Sequence, residues 1–317
     1  MMVLACDLGG TRMKIGVVRD GEVLAQTSIA AHSKAGLVTG LPALAGAWRQ
    51  LLDGLRVASA DCAGISVGFP SLVDVATGRV LDEYGKYADA MDFNLRDWAE
   101  SEFNLPLAIE NDARLALIGE WKFGAGRGSD NVVMVTLGTG IGTSAVIQGR
   151  VLRGRHGQAG VLGGHCTVRY GGRKCGCGNI GCAEAEASTV FLSEIARGDH
   201  GFSDSRLATE PRLDYASVFH HAATGDACAV KLRDHSLLVW STIVVNLIHA
   251  YDPEIVVIGG GVMASAEIIL PAIREYVGRH AHTPWGQVRI VAGELGDNAA
   301  LVPGEWLLRE QYPNSKS

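Results

Sequence analysis

The sequence predicts an α/β protein of two similar lobes, because one design occurs twice along its 317 residues. Each copy is an apolar strand, a glycine-rich turn and a second strand that returns beside the first. The segments are 3–7, 9–10 and 14–18 in the first copy, and 132–137, 138–142 and 143–147 in the second. Such a duplication predicts two matched lobes that offer backbone N–H groups to a shared anion. We expect the anion to be the phosphates of a nucleotide.

Between the two copies, strands and helices alternate. An apolar strand over 63–68 leads into a polar, irregular segment over 74–94, and an amphipathic helix follows. The next strand ends in Glu110, Asn111 and Asp112, and a helix pattern begins behind Asp112. Asn111 and Asp112 are therefore expected at a strand-to-helix corner.

The later part of the chain is mainly helical over 189–249. An apolar strand then ends in Gly259, Gly260 and Gly261, and a long helix follows over 265–276. A glycine run directly after a buried strand is typical of a tight turn, and it also suits a backbone that approaches a ligand closely.

Composition excludes several classes of function. The chain has 28 Lys and Arg against 34 Asp and Glu, a net charge of −6, which argues against binding to nucleic acid or to an anionic membrane. It shows neither a signal-peptide pattern nor an apolar run of membrane-spanning length, so we expect a cytoplasmic protein. The cysteine count of seven is odd, and Cys6, Cys62 and Cys228 lie in apolar segments as ordinary core residues would.

Four metal-competent side chains occur within one short segment without helix or strand periodicity: His165, Cys175, Cys177 and Cys182. Zn²⁺ favours tetrahedral nitrogen and thiolate ligands, and one His with three Cys leaves no open position for water. Buried, reduced thiols are the alternative, but the surrounding glycines offer little to bury them against. The segment predicts a structural zinc site that holds a loop.

The glycine turns do not match the common nucleotide-binding motifs. The dinucleotide fingerprint runs from a strand into a helix, whereas Gly9, Gly10 and Thr11 lead back into a strand. The P-loop pattern that ends in Gly-Lys-Ser/Thr is absent. A dehydrogenase is disfavoured, and nucleotide binding requires another geometry.

The order of motifs is more specific than any one of them. DLGGT, END, LGTGIG, the His and three Cys, and VVIGGGV follow one another along the chain. This combination resembles the ROK family (repressors, open reading frames and kinases) of the actin and hexokinase superfamily. The resemblance runs from Ala5 to about Gly261, and CGCGNIGCAEAEAS is its most specific part. ROK repressors carry an added N-terminal DNA-binding segment, whereas this chain reaches DLGGT by Asp7, which favours the kinase branch.

The resemblance implies a two-lobed actin-like ATPase (ribonuclease H-like) fold with an interlobe cleft. We expect a smaller lobe over 1–115, joined by a C-terminal helix at about 300–317, and a larger lobe over 116–299 with a zinc loop over 165–182. The implied activity is ATP-dependent phosphorylation of a sugar hydroxyl, with Mg²⁺ as cofactor, structural Zn²⁺, and a homodimer or higher oligomer as the assembly.

The resemblance also implies roles for individual residues. Asp112 matches the general base of these kinases, although an aspartate at such a corner can also cap a helix. Asp7 is the expected partner of hydrated Mg²⁺, with a simple turn role as the alternative. The positions that match sugar contacts are Asn111, Asp112, His165 and Glu184. Those that match nucleotide contacts are Asp7, Gly9, Gly10, Thr11, Gly138, Thr139, Gly140, Gly259, Gly260 and Gly261.

Two departures leave the acceptor open. Relatives carry a sugar-binding glutamate three residues before the zinc histidine, where this chain has Leu162, and Gln158 is the nearest polar residue. Ser71 occupies a position where glycine is usual. Loss of a charged hydrogen bond, about 1.5–3 kcal/mol, weakens a glucose-type substrate. Glucose is the default acceptor; an N-acetylhexosamine, a ketose, a catalytically weak sugar-responsive regulator and an ATP-hydrolysing protein with another acceptor are the alternatives.

Overall fold

The computed structural model describes residues 1–83 and 85–313. The chain forms two compact units, each assembled from segments that are distant in sequence. The first comprises Met1–Arg127, Arg153–Ala159 and Leu295–Ser317, and the second comprises Gly128–Leu152 and Gly160–Glu294.

The described strands are β1 (Met2–Leu8), β2 (Arg12–Arg19), β3 (Glu22–Ala30), β4 (Cys62–Phe69), β5 (Val73–Asp74), β6 (Arg79–Val80), β7 (Leu107–Asn111), β8 (Val132–Leu137), β9 (Ile141–Ile147), β10 (Arg150–Val151), β11 (Ile255–Gly259) and β12 (Arg289–Ala292). The described α-helices are α1 (Leu37–Leu55), α2 (Leu95–Phe103), α3 (Asp112–Phe123), α4 (Ala183–Ala187), α5 (Thr189–Arg197), α6 (Tyr215–Ala223), α7 (Ala227–Tyr251), α8 (Ala266–His280) and α9 (Gly304–Gln311).

Each unit contains a mixed five-stranded sheet, and the two sheets have the same design. The order is β3-β2-β1-β4-β7 in the first unit and β10-β9-β8-β11-β12 in the second. In each sheet the first three strands are antiparallel, and the last two are parallel to the third. The repeated strand, turn and strand of the sequence are the β1–β2 and β8–β9 pairs. The second turn is tighter than expected, because Leu137 pairs with Ile141 and only 138–140 remain outside the strands.

The hydrophobic cores hold the helices against these sheets. In the first unit, Trp48 of α1 packs against Trp98 and Phe103 of α2. In the second, Trp240 of α7 packs against Tyr215 of α6 at 4.8 Å between ring centroids. Burial of such large rings stabilises the packing of the helices. Cys6, Cys62 and Cys228 are buried, as the sequence predicted.

Strand register decides which residues meet at the sheet edges. In the first unit Asp7 pairs with Gly68, and Gly68 pairs with Glu110, so the carboxyl ends of β1, β4 and β7 coincide. In the second unit Gly259 pairs with Thr136, so β8 and β11 end together. Ligands of open α/β sheets bind outside the carboxyl ends of parallel strands. Across 1–83 and 85–313, the chain contains no helix of the length and apolarity that a membrane span needs.

Candidate active site and metal centre

Asp112 lies at the corner where β7 passes into α3, and its neighbour Asn111 caps the helix. The Asn111 side chain accepts a hydrogen bond from the Arg114 N–H at 3.1 Å, and its amide donates to the Ser71 carbonyl at 3.1 Å and to Asp112 Oδ1 at 3.0 Å. The helix therefore begins one residue earlier than the sequence indicated, and Asn111 is its N-cap. Asn111, and not Asp112, is therefore the residue that caps this helix.

The carboxyl group of Asp112 is tuned towards proton transfer. Its pKa is raised to about 6, first by burial and then by the negative charge of Asp7, while Lys86 acts in the opposite direction. Oδ1 accepts hydrogen bonds from Ala113 and Asn111, and Oδ2 has no hydrogen-bond partner among the described residues. A carboxylate with this pKa and an available oxygen suits a general base near neutral pH.

Asp7 stands at the end of β1, close to Asp112. A Cβ on Gly68 would lie 3.5 Å from Asp7 Oδ1 and 3.6 Å from Asp112 Cα, so the glycine leaves little room between the two acids. Asp7 Oδ2 lies 3.7 Å from Lys14 Nζ, which also pairs with Asp297 at 2.9 Å. Burial raises the pKa of Asp7. Its oxygens are of the type that Mg²⁺ prefers. Gly68, which the sequence reasoning missed, could have been noticed as a glycine inside an apolar strand.

Glu110, the first residue of the END motif, is structural. It is fully buried, and its carboxylate binds Arg114 at 2.6 Å and Arg153 at 2.7 Å. Arg153 also pairs with Glu310 of α9 at 2.6 Å. Buried charges persist only when they are paired in this way. This network fixes the strand end that carries Asp112, and the sequence gives no signal for it because Arg153 is 43 residues away.

The turn Gly9 to Thr11 uses only its first N–H group inside the protein. Gly9 donates to the carbonyl groups of Asp7 at 3.1 Å and Arg12 at 3.0 Å. Within residues 1–83 and 85–313, the N–H groups of Gly10 and Thr11 have no acceptor. Adjacent unpaired backbone donors form a concavity that suits an anion.

The turn of the second unit repeats this pattern. The Gly138 N–H donates to the Gly140 carbonyl at 3.0 Å, and the N–H groups of Thr139 and Gly140 have no acceptor among the described residues. Glu184 Oε2 accepts from the Ile141 N–H at 3.0 Å. The predicted sugar contact thus also braces the predicted phosphate turn, which the sequence did not reveal.

The glycine run after β11 lies beside the end of β8. Gly260 has φ +94°, and a Cβ there would lie 2.2 Å from the Leu137 carbonyl oxygen. Both the left-handed backbone and the close approach require glycine. Gly259 to Gly261 and Gly138 to Gly140 consequently share one edge of the sheet.

The predicted metal ligands are brought together. The ligand atoms of His165, Cys175, Cys177 and Cys182 all lie within 4.8 Å of one another. His165 Nδ1 is 3.5 Å from Cys175 Sγ, and the sulfur atoms of Cys177 and Cys182 are 3.8 Å apart. Tetrahedral zinc with bonds of about 2.0–2.3 Å requires ligand atoms about 3.3–3.8 Å apart. The cluster therefore fits a zinc ion without a large rearrangement.

A buried carboxylate anchors the segment that carries these ligands. Glu186 of α4 is fully buried and accepts hydrogen bonds from the Arg173 N–H at 2.7 Å and from the Arg173 guanidinium at 3.2 Å. Arg169 reaches the same carboxylate at 3.4 Å, and His235 of α7 lies 3.0 Å from the Glu186 carbonyl oxygen. Sequence reasoning missed this anchor; a second glutamate two residues after Glu184 was the available signal.

Leu162 and Ser71 are the positions that differ from the family pattern of sugar recognition. Leu162 is partly buried and precedes a short 3₁₀ helix, Gly163–His165, and a Cβ on Gly164 would lie 1.9 Å from the Ile141 carbonyl oxygen. None of residues 161–164 has a carboxylate side chain. Gln158 is exposed, and the buried Ser71 hydroxyl donates to the Asp82 carbonyl.

Comparison with known proteins gives one family. The family model described as ROK family matches residues 3–311. A glucokinase of Halalkalibacterium halodurans is 32% identical over 96% of this chain and 94% of its own length. A glucokinase of Thermotoga maritima is 31% identical over 98% of each chain. The solved ROK family glucokinase of Streptomyces griseus, in complex with glucose and AMPPNP, matches 98% of this chain and 100% of that chain at a TM-score of 0.82 and 29% identity. The chain belongs to the ROK family.

Proposed function

We propose that this protein transfers the γ-phosphoryl group of ATP to a hydroxyl group of a sugar, with Asp112 as the general base. The observation that carries the proposal is the place of Asp112 at the strand-to-helix corner, with an Oδ2 that has no hydrogen-bond partner among residues 1–83 and 85–313. Burial raises the pKa of this carboxyl group to about 6. A sugar hydroxyl is a poor nucleophile until its proton has an acceptor, and a base of this pKa supplies one. The glucokinase relatives support the same activity.

The phosphates of ATP are proposed to bind the unpaired N–H groups of the two glycine turns. Phosphoryl transfer depends mainly on positioning and on neutralising charge, which such donors provide. Asp7 is the proposed partner of hydrated Mg²⁺, which neutralises phosphate charge when it is bound. Gly259, Gly260 and Gly261 are proposed to contact the adenosine. We also propose the two-lobed actin-like fold, with the lobe boundaries predicted above and an interlobe cleft. Membership of the family supports this part of the proposal.

Zinc is proposed to be structural, held by His165, Cys175, Cys177 and Cys182. When bound, it braces the loop and orients His165 towards the sugar, with Asn111, Asp112 and Glu184 as the further sugar contacts. Glucose is the proposed acceptor, because the two relatives compared above are glucokinases. Leu162 makes an N-acetylhexosamine or a ketose the next acceptors to test. A homo-oligomeric assembly and a cytoplasmic location stay predictions.

The test is ADP production from Mg·ATP with a panel of hexoses, N-acetylhexosamines, ketoses and polyols. Asp112→Asn is expected to lower kcat by about 10²–10⁴-fold, because it removes the proton acceptor. Asp97→Asn is the matched control, since Asp97 is an exposed aspartate in the first turn of α2. ADP release that does not depend on any acceptor, or an Asp112→Asn protein with full activity, would contradict the proposal.

A further inference from the structure

Lys86 is a cation of the first unit that none of the sequence motifs includes. It lies between β6 and α2 and is partly buried. Within residues 1–83 and 85–313, its ammonium group makes no hydrogen bond or ion pair. No described residue therefore neutralises this ammonium group, which leaves it available to a negatively charged ligand.

The backbone beside Lys86 is tied to the first glycine turn. Tyr87 is fully buried, and its hydroxyl donates to the Gly9 carbonyl at 2.9 Å. The Tyr87 N–H donates to the Ser33 carbonyl at 2.9 Å, and the Ser33 hydroxyl donates to the Gly10 carbonyl at 2.7 Å. These three hydrogen bonds hold the segment against the turn, so the position of Lys86 relative to the turn is defined by the fold.

The Lys86 side chain extends over Gly10. Its Cε and Nζ atoms lie 3.0 and 3.6 Å from the position that a Cβ on Gly10 would take. Gly10 carries one of the two unpaired N–H groups of the turn. The ammonium group and this backbone donor therefore lie at the same residue, and both prefer a negatively charged oxygen.

The neighbouring carboxylates leave this cation available. Asp7 is already paired with Lys14, which also binds Asp297. Lys86 acts on the charge of Asp112 without forming an ion pair with it. An oxygen atom of a phosphoryl group can thus be received by the ammonium group beside Gly10.

We propose that Lys86 is a catalytic residue whose ammonium group donates a hydrogen bond to the phosphoryl group during its transfer. The proposal rests on the proposed function. The acceptor hydroxyl gives its proton to Asp112 while its oxygen bonds to the γ-phosphorus. The bond from the γ-phosphorus to the bridging oxygen breaks, and its electron pair leaves on the β-phosphate of ADP. The Lys86 ammonium group neutralises charge on the non-bridging oxygens.

The kinetic test compares Lys86→Met and Lys86→Arg with the unmodified protein and with Lys34→Met, a control that removes an exposed lysine of the same unit. Lys86→Met is expected to lower the pH-independent kcat by about 100-fold while the sugar KM changes by less than about threefold. Lys86→Arg recovers part of the loss, and Lys34→Met has no effect. A Lys86→Met protein that regains full kcat at higher pH would show that Lys86 acts only on Asp112, and would overturn the proposal.

A binding measurement separates this proposal from the proposed function. ADP with aluminium fluoride mimics the transferred phosphoryl group, and calorimetry measures its affinity without turnover. We expect Lys86→Met to bind ADP with aluminium fluoride at least about tenfold more weakly and ADP alone unchanged, as for loss of one charged hydrogen bond. Equal affinities of the two proteins for the mimic would overturn the role of Lys86. Absence of acceptor-dependent turnover in the unmodified protein would instead contradict the proposed function.

Discussion

At the scale of single residues, the END motif divides its work among three adjacent side chains. Glu110 is buried in ion pairs with Arg114 and Arg153, and Asn111 caps α3. Asp112 keeps one oxygen to which no described residue donates a hydrogen bond. The division follows from strand geometry, because successive side chains of β7 point to opposite faces and the third begins a helix. Only the last of the three is the proposed general base.

The pH dependence of the reaction follows from the Asp112 pKa of about 6. The general base acts as the carboxylate, so kcat/KM is expected to rise about tenfold per pH unit below about 6 and to level off above it. The groups that set this value are Asp7, which raises the pKa, and Lys86, which lowers it. Initial rates across pH 4.5–8 at constant ionic strength measure the profile. An acid limb near pH 4 would mean that burial does not perturb the carboxyl group.

At the scale of elements, the predicted contact residues lie on glycine turns and short helices. Glu184 at the start of α4 accepts a hydrogen bond from Ile141 at the second glycine turn, and Glu186, two residues later, holds the segment of the predicted zinc ligands. One short helix therefore connects the predicted phosphate, sugar and metal contacts of the second unit. Since α4 has only five residues, its stability depends on these side-chain contacts.

Glu186→Gln tests the anchor of the segment that carries the predicted zinc ligands. The substitution retains an acceptor for the Arg173 N–H but removes the charge that pairs with Arg169 and Arg173. We expect the free energy of unfolding to fall by about 2 kcal/mol. This loss is smaller than for a fully buried ion pair, because both arginines are partly exposed to solvent. Metal release to a chelating dye should also become faster. Glu194→Gln on the exposed face of α5 is the control. Unchanged stability and metal release would contradict the anchoring role.

Gly260→Ala tests the close approach of the third glycine segment to β8. The left-handed φ of +94° and the Leu137 carbonyl oxygen at 2.2 Å both oppose a Cβ. We expect a loss of about 2 kcal/mol in the free energy of unfolding, measured by urea denaturation. Gly261→Ala is the control, because no atom lies within 4 Å of its Cβ position and its φ is ordinary. Equal stability of the two variants would show that the backbone can move away at Gly260.

At the scale of the whole molecule, the two units share one sheet topology but carry different functional side chains. The first unit carries the carboxylates of Asp7 and Asp112 beside its glycine turn, and the second carries the Cys and His cluster near its own. A duplicated scaffold thus provides two similar turns for the proposed binding of phosphate, while the proposed chemistry depends on residues that differ between the copies.

Metal removal distinguishes the proposed tasks of the second unit. Chelation of zinc is expected to destabilise the loop over 165–182 and to reduce sugar affinity about tenfold, with ATP affinity changed by less than about threefold, because the metal orients His165 and not the glycine turns. Calorimetry with sugar and with a non-hydrolysable ATP analogue, before and after chelation and after zinc is restored, measures both affinities. Equal loss of the two affinities would contradict this division.

The sequence by itself determined the family, the paired strand-turn-strand segments and the four metal-ligand candidates. These features are local or occur in a fixed order along the chain, so short-range pattern is sufficient to find them. Their physical basis is equally local, since a tight turn needs glycine and a metal cluster needs its ligand types.

Only the tertiary structure decided which of these residues are free to act. Strand register placed Gly68 between Asp7 and Asp112. Arg153, which is 43 residues away, pairs with Glu110 together with the nearby Arg114. The positions of Lys86 and Glu186 depend on long-range packing, which no spacing in the sequence encodes. Burial, charge pairing and pKa are properties of neighbours in space, so they appear only once the chain has folded.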